Sequence, residues 1–262
     1  MTASGTLFLM YHEIESPGRP LCNTDPGYVR YVVTEAEFRR QLESMRAAGL
    51  RGVSVSQALN NLQSGAHPCI ALTFDDGSET DLLTAAPLLV EAGFGATFFI
   101  VAGLVGTSHF LDKRQLRQLH EGGFEIGSHS MTHRHLSDLG DGELRKEVQA
   151  SKDRLEQIVG VPVVHLSCPN GRWSPRVAHF AREAGYQTIS TSRIDRNSSH
   201  TDLSNLARFA VMRNTSGEEF CKLICGADLV RHRRKAAILG LAKRALGNSF
   251  YDKLRSLLLG RT

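Results

Sequence analysis

Short apolar stretches alternate with amphipathic ones along most of this chain. The apolar stretches fall at residues 6–11, 69–74, 96–101, 124–129, 161–167, 187–191 and 208–212. Each has the length of a strand, and the continuously apolar ones suit strands buried on both faces. Between them the apolar positions recur at helical spacing. Thr34 and Glu37 form a capping-box pattern that opens a helix running to Ala48 and stopping at Gly49. A second short helix follows Ser56, and further helical patterns cover 81–92, 111–120, 142–159 and 175–184, with Ser216 opening another. Strands separated by helices predict a parallel sheet with helical cover. Seven or eight such units in about 228 residues favour one α/β unit, a closed or distorted (β/α) barrel, over two domains. No internal repeat and no low-complexity linker interrupts the pattern.

Composition narrows the class. Hydrophobic residues make up 41% and charged residues 22% of 262, which excludes disordered, collagen-like and coiled-coil chains. A chain of this length can bury a core without disulfides. Its five cysteines (Cys22, Cys69, Cys168, Cys221 and Cys225) are odd in number, irregularly spaced and without a CxxC, as reduced thiols in a cytoplasmic protein would be. The N-terminus shows neither a basic stretch nor an apolar run of signal length, and no apolar run is long enough to span a bilayer. A cytoplasmic location is therefore expected.

Charge divides the chain. Residues 229–262 carry nine Lys/Arg against the single acid Asp252, a formal +8, so the total of +4 leaves −4 on residues 1–228. Basic and apolar residues in that tail alternate at helical spacing, which predicts a basic amphipathic helical extension behind a main unit at 1–228. Such a helix suits an anionic membrane, on its inner face, or a partner protein; packing back on the barrel is the alternative. Nucleic acid is not expected as a partner, because stacking aromatics are not interleaved with the basic residues.

Two motifs carry candidate chemistry. Thr73-Phe74-Asp75-Asp76-Gly77 ends the most apolar strand, at the sheet edge where parallel α/β folds place active sites. Adjacent buried carboxylates repel each other, so a cation, a proton or an Arg must neutralise one; an Asp-Gly turn is the plainer alternative. His129-Ser130-Met131-Thr132-His133 ends another strand. Two His at i and i+4 on a helical turn point the same way and can share a metal. With Asp76 they give three protein ligands and leave positions for water, as in a catalytic divalent site. His135, two residues beyond His133, is expected to face elsewhere. Asp75 would then stand ionised beside a metal-bound water as a general base.

TFDDG followed by HSMTH, with the ATFFI strand between them, resembles the polysaccharide deacetylases of the NodB homology type, carbohydrate esterase family 4. The resemblance covers roughly residues 6–211. It implies a distorted NodB-like barrel, a divalent metal ion (most often Zn2+) and removal of N-acetyl groups from an amino-sugar glycan, in exopolysaccharide or cell-envelope glycan biosynthesis, so that a partner held by residues 229–262 would be a glycan-synthesis protein. It implies Asp75 as the base and Asp76, His129 and His133 as metal ligands. The family's third motif, Arg-x-Pro-x-Gly, is matched by Pro169 and Gly171, but Ser167 stands where the Arg is expected. Either Arg172 or Arg208 replaces it, or the base is tuned differently. The Asn170 N–H falls where the family places an oxyanion donor. Trp173, the only Trp, follows in a loop and suits a sugar platform, with packing as the alternative. The family's late Leu-x-His is missing. His12, closing the first apolar strand, resembles the acid of circularly permuted members such as the biofilm poly-N-acetylglucosamine deacetylases, and is expected to protonate the leaving amine.

Three other readings share parts of this pattern. An iron oxygenase uses two His and a carboxylate, but on β-sandwich folds, and would give Asp75 no role. A deformylase or other amidohydrolase on a lipid- or nucleotide-linked amino sugar would use the same core. A non-catalytic carbohydrate-binding relic would fit the missing Arg, although Asp75, Asp76, His129 and His133 are all present.

Overall fold

The computed structural model describes residues 5–65 and 68–227. The expected tail at 229–262 lies outside the described residues.

The main sheet has eight parallel strands: β1 (Leu7–Tyr11), β2 (Arg51–Val53), β3 (Cys69–Asp76), β4 (Thr97–Ile100), β5 (Glu125–Ser128), β6 (His165–Ser167), β7 (Thr188–Ser190) and β8 (Phe209–Ala210). Their order is β8-β1-β3-β4-β5-β6-β7, with β2 beside the first half of β3. Leu206 bridges Ser190 in parallel, and the Arg208 N–H donates to the Arg193 carbonyl. Those contacts draw β7 toward β8 and nearly close the sheet into the distorted barrel expected from the sequence. Helices α1 (Glu35–Ala47), α2 (Val55–Ser64), α3 (Ala86–Ala92), α4 (Lys113–Glu121), α5 (Asp141–Val159), α6 (Pro175–Glu183) and α7 (Gly217–Ile224) intervene between strands or follow the last. A second, two-stranded parallel pair joins residues 14–15 to 33–34. No described helix is long and apolar enough to cross a membrane.

Alternation explains where the core sits. Leu7, Leu9 and Tyr11 of β1 and Leu72 and Phe74 of β3 belong to the large cluster beneath the helices, where Phe74 stacks between Tyr11 and Phe98. Phe8, Ala71 and Phe99 form a smaller cluster within the barrel. Thr73 and Asp75 therefore follow Ala71 on the inner face, as Met10 and His12 follow Phe8.

Three local features differ from the sequence expectation. Strand β2 is too short for periodicity to reveal. It carries Gly52, where a Cβ would stand 2.6 Å from both Leu72 and Phe94 side chains. Residues 81–92 are not one α-helix: Asp81–Ala85 forms a π-turn before α3. The helix after 54 begins two residues earlier than the sequence suggests, at Val55, because Ser54 and Gln57 form its capping box.

Candidate active site

Asp75 and Asp76 end β3, yet both carboxylates reach the same end of the barrel. Successive strand side chains normally point to opposite faces. At Asp76 the backbone takes φ +83°, the left-handed region, and breaks that alternation. Gly77 continues the turn at φ +86°, where a Cβ would press on Ile100 at 3.1 Å.

Asp75 is held by a buried clamp. Arg208 donates from Nη1 to Asp75 Oδ1 at 2.7 Å and from Nη2 to Oδ2 at 2.8 Å. Ser167 Oγ donates to Asp75 Oδ2 at 3.2 Å and accepts from Arg208 Nη2 at 2.7 Å. Arg208 also reaches Thr73 Oγ1 and the Thr191 carbonyl, and is 1% exposed. Of the two arginines left open by the sequence, Arg208 therefore meets Asp75. Arg172 is buried elsewhere, 4.0 Å from Asp138. Burial alone would raise the Asp75 carboxyl, but the Arg208 guanidinium and then His129 hold it well below the usual carboxylate range. It is ionised at any working pH.

His129 follows β5, and His133 lies four residues on. The segment is not the helical turn expected: Ser130 and His133 take φ +65° and +60°. The imidazoles nonetheless converge, with ring centroids 4.9 Å apart. His129 Nδ1 lies 2.9 Å from the Ser167 carbonyl, which can only accept, so Nδ1 carries the proton and Nε2 presents its lone pair. That Nε2 is 3.6 Å from Asp76 Oδ1, and His133 Nε2 is 3.4 Å from the same oxygen. Burial pushes His129 down to about 3 and lowers His133 as well, so both rings are neutral. Burial, with repulsion from Asp75, pushes Asp76 up to about 6 despite the opposing influence of His12.

These residues fit a divalent ion. The Asp76, His129 and His133 acceptor atoms all lie within 4.8 Å of one another. Asp76 Oδ1 is buried and has no hydrogen-bond partner. Ligands at about 2.0–2.1 Å on a tetrahedral ion stand roughly 3.3 Å apart, close to the spacings here. A proton or water could not satisfy three converging acceptors as well. Neutral nitrogens beside a carboxylate are the donors that zinc accepts, and other divalent ions accept them too.

The remaining candidates follow the ends of β1 and β6. Tyr11 pairs with Phe74, so the next residue, His12, lies across from Asp75. Its ring packs on Tyr31 at 4.8 Å, and its Nδ1 is buried without a hydrogen-bond partner. Pro169, Asn170 and Gly171 form one 3-10 turn after β6. Asn170 is exposed at φ +54°, and Gly171 abuts Ser192, whose Oγ would stand 2.4 Å from an added Cβ. Trp173 is half-buried and packs on the main core. His135 faces away, toward Asp138 at 3.5 Å.

Two acids that the sequence reading passed over lie near the site. Asp81 is fully buried on the π-turn, and neither carboxylate oxygen has a hydrogen-bond partner. Burial, then the charges of Asp76, Glu13 and Asp75, raise its carboxyl well above the ordinary value. Glu13 is buried too, but accepts from the Cys22 amide and Tyr28 hydroxyl. A π-turn directly behind a catalytic motif was the only cue to Asp81, and its spacing resembles an ordinary helix.

Known proteins resemble this chain in sequence and in fold. The polysaccharide deacetylase family model matches residues 63–189. YxkH of Bacillus subtilis (strain 168) is 27% identical over 215 residues, covering 81% of this chain and 73% of its own. A peptidoglycan-N-acetylglucosamine deacetylase of Bacillus cereus is 35% identical over 121 residues, 46% of this chain and 54% of that protein. This chain therefore spans about half of that relative. Among solved structures, the Streptococcus pyogenes deacetylase PplD, in complex with acetate, superposes with a TM-score of 0.74 at 23% identity, covering 84% of this chain and 98% of that one. That likeness concerns the fold. Residues 63–189 thus match the polysaccharide deacetylase family, and the DDG and HSMTH residues gather at one end of the barrel.

Proposed function

We propose that this protein hydrolyses N-acetyl groups from an amino-sugar polysaccharide or oligosaccharide, with a divalent ion held by Asp76, His129 and His133. The observation that carries this reading is the pairing of three converging acceptors with a separate carboxylate clamped by Arg208. A bound divalent ion supplies Lewis acidity, polarising an amide carbonyl and making water a better nucleophile.

The chain's own residues divide the proton work. Asp75 accepts a proton from water as its oxygen bonds to the acetyl carbon. Arg208 and Ser167 fix both oxygens of Asp75, so the acceptor is oriented before substrate arrives. We assign the Asn170 N–H as the donor to the oxygen that gains charge. His12 gives a proton to the nitrogen as the C–N bond breaks, and acetate and an amine leave. Trp173 offers one face to a sugar ring. The name of the Bacillus cereus relative supports an N-acetylglucosamine polymer, of envelope or exopolysaccharide type.

Acetate release from N-acetylated glucosamine oligosaccharides by zinc-loaded protein tests the reading. Formate release from an N-formyl analogue without acetate release would favour a deformylase. Binding without turnover would favour a relic. We also propose a cytoplasmic protein whose residues 229–262 associate with the inner membrane face, on their charge of nine basic residues against one acid.

A further inference from the structure

The loop carrying the two histidines is gripped by a residue outside it. Glu147 lies on α5 and is 7% exposed. On that helix it shares the buried row of Leu144, Val148, Ser151 and Leu155, where an unpaired charge would be costly. Its Oε2 accepts from the Met131 N–H at 3.0 Å and the Thr132 N–H at 2.9 Å, and its Oε1 accepts from Thr132 Oγ1. Both amides lie between His129 and His133. The other side of the loop is held through its carbonyls: Ala102 N–H donates to Ser130 O and Gly103 N–H donates to Met131 O, at 3.1 and 2.8 Å. A Cβ on Gly103 would meet Met131 O at 2.4 Å, so this approach requires glycine. Within the loop, Ser130 Oγ accepts from the His133 N–H. Left-handed backbone at two non-glycine residues persists only when its surroundings over-determine it, and Glu147 supplies three of the bonds that do so.

We infer that Glu147 is a positioning residue for the metal loop: its carboxylate pre-forms the left-handed turn that brings His133 to Asp76. This rests on the reading of Asp76, His129 and His133 as a metal site. Affinity for the ion then depends on a side chain that touches neither ion nor substrate.

Two variants separate the carboxylate's accepting role from its bulk. Glu147→Leu fills the same space without an acceptor, whereas Glu147→Gln keeps an oxygen for both amides. Zinc affinity of metal-stripped protein is measured by competition with a chromogenic chelator. The Leu variant is expected to bind about 10–100-fold more weakly, as for other groups that orient ligands. The Gln variant should remain within roughly three-fold of wild type on the same grounds. Leu155→Ala, two turns along the same helix, should lower the unfolding temperature and leave zinc affinity unchanged. Wild-type affinity in the Leu variant, or equal impairment in the Gln variant, overturns the inference. Should the Leu variant not fold, amide exchange in the unmutated, metal-free protein decides. Protected Met131 and Thr132 amides support the inference, and exchange at the rate of open loops overturns it. Failure of wild-type protein to bind zinc would instead refute the metal reading itself.

Discussion

At the residue scale the site depends on how two neighbouring carboxylates are given opposite characters. Asp75 and Asp76 share a strand end and near-total burial, but only Asp75 has an arginine across both oxygens. Removing that partner should be severe. Arg208→Met leaves Asp75 buried without its cation, and is expected to cost about 3–5 kcal/mol of stability in urea denaturation. Asp81 makes the converse case. Its raised carboxyl stays protonated in the folded state at pH values where the unfolded chain has released that proton. The folded state then binds more protons, so this group's contribution to stability falls as pH rises above about 4 and toward the folded value. Asp81→Asn removes that slope. Denaturation at pH 5 and pH 8 should show the variant gaining on wild type at the higher pH, by about 1–3 kcal/mol. An unchanged difference between the two pH values would refute the assignment.

At the scale of elements, strand ends deliver the chemistry and loops aim it. Strand β1 carries His12 to the position beside Asp75, and the His12→Ala variant should lose about 10²–10⁴ in rate while keeping its metal content, measured by atomic emission. A normal rate would remove His12 from the mechanism. The elements most legible in the sequence were those whose side chains are sorted by burial alone. The apolar run of β3 is buried at all eight positions, and the helices have Thr34, Ser174 and Ser216 at their N-caps. Less legible were the elements defined by backbone geometry. The HSMTH spacing matches a helical turn, and only three-dimensional contacts with Ala102, Gly103 and Glu147 explain why it is left-handed instead. Choosing Arg208 over Arg172 likewise requires knowing which strands meet across the barrel. Glu147 did leave a trace in the sequence, as a charge on the apolar row of α5.

For the whole molecule, the barrel gathers residues separated by nearly two hundred positions into one end. Asp75 and Arg208 come from β3 and the entry to β8, which are separated in the sheet only by β1. That closure explains how a late arginine can serve where the third motif has Ser167. The basic tail adds a separate question of placement. Full-length protein should co-sediment with vesicles of anionic lipid more than a chain ending near Asp228, with the difference shrinking as salt rises. Equal sedimentation of both would reject membrane association. The claim that joins all three scales is that Asp76, His129 and His133 hold the ion while Asp75 handles the proton. Zinc content and acetate release should be measured on the same preparations of wild type and Asp75→Asn. Both proteins are expected to bind about one zinc per chain, with turnover in the variant reduced by about 10² or more. Full activity in the variant, or wild-type protein that binds no zinc, would contradict the account.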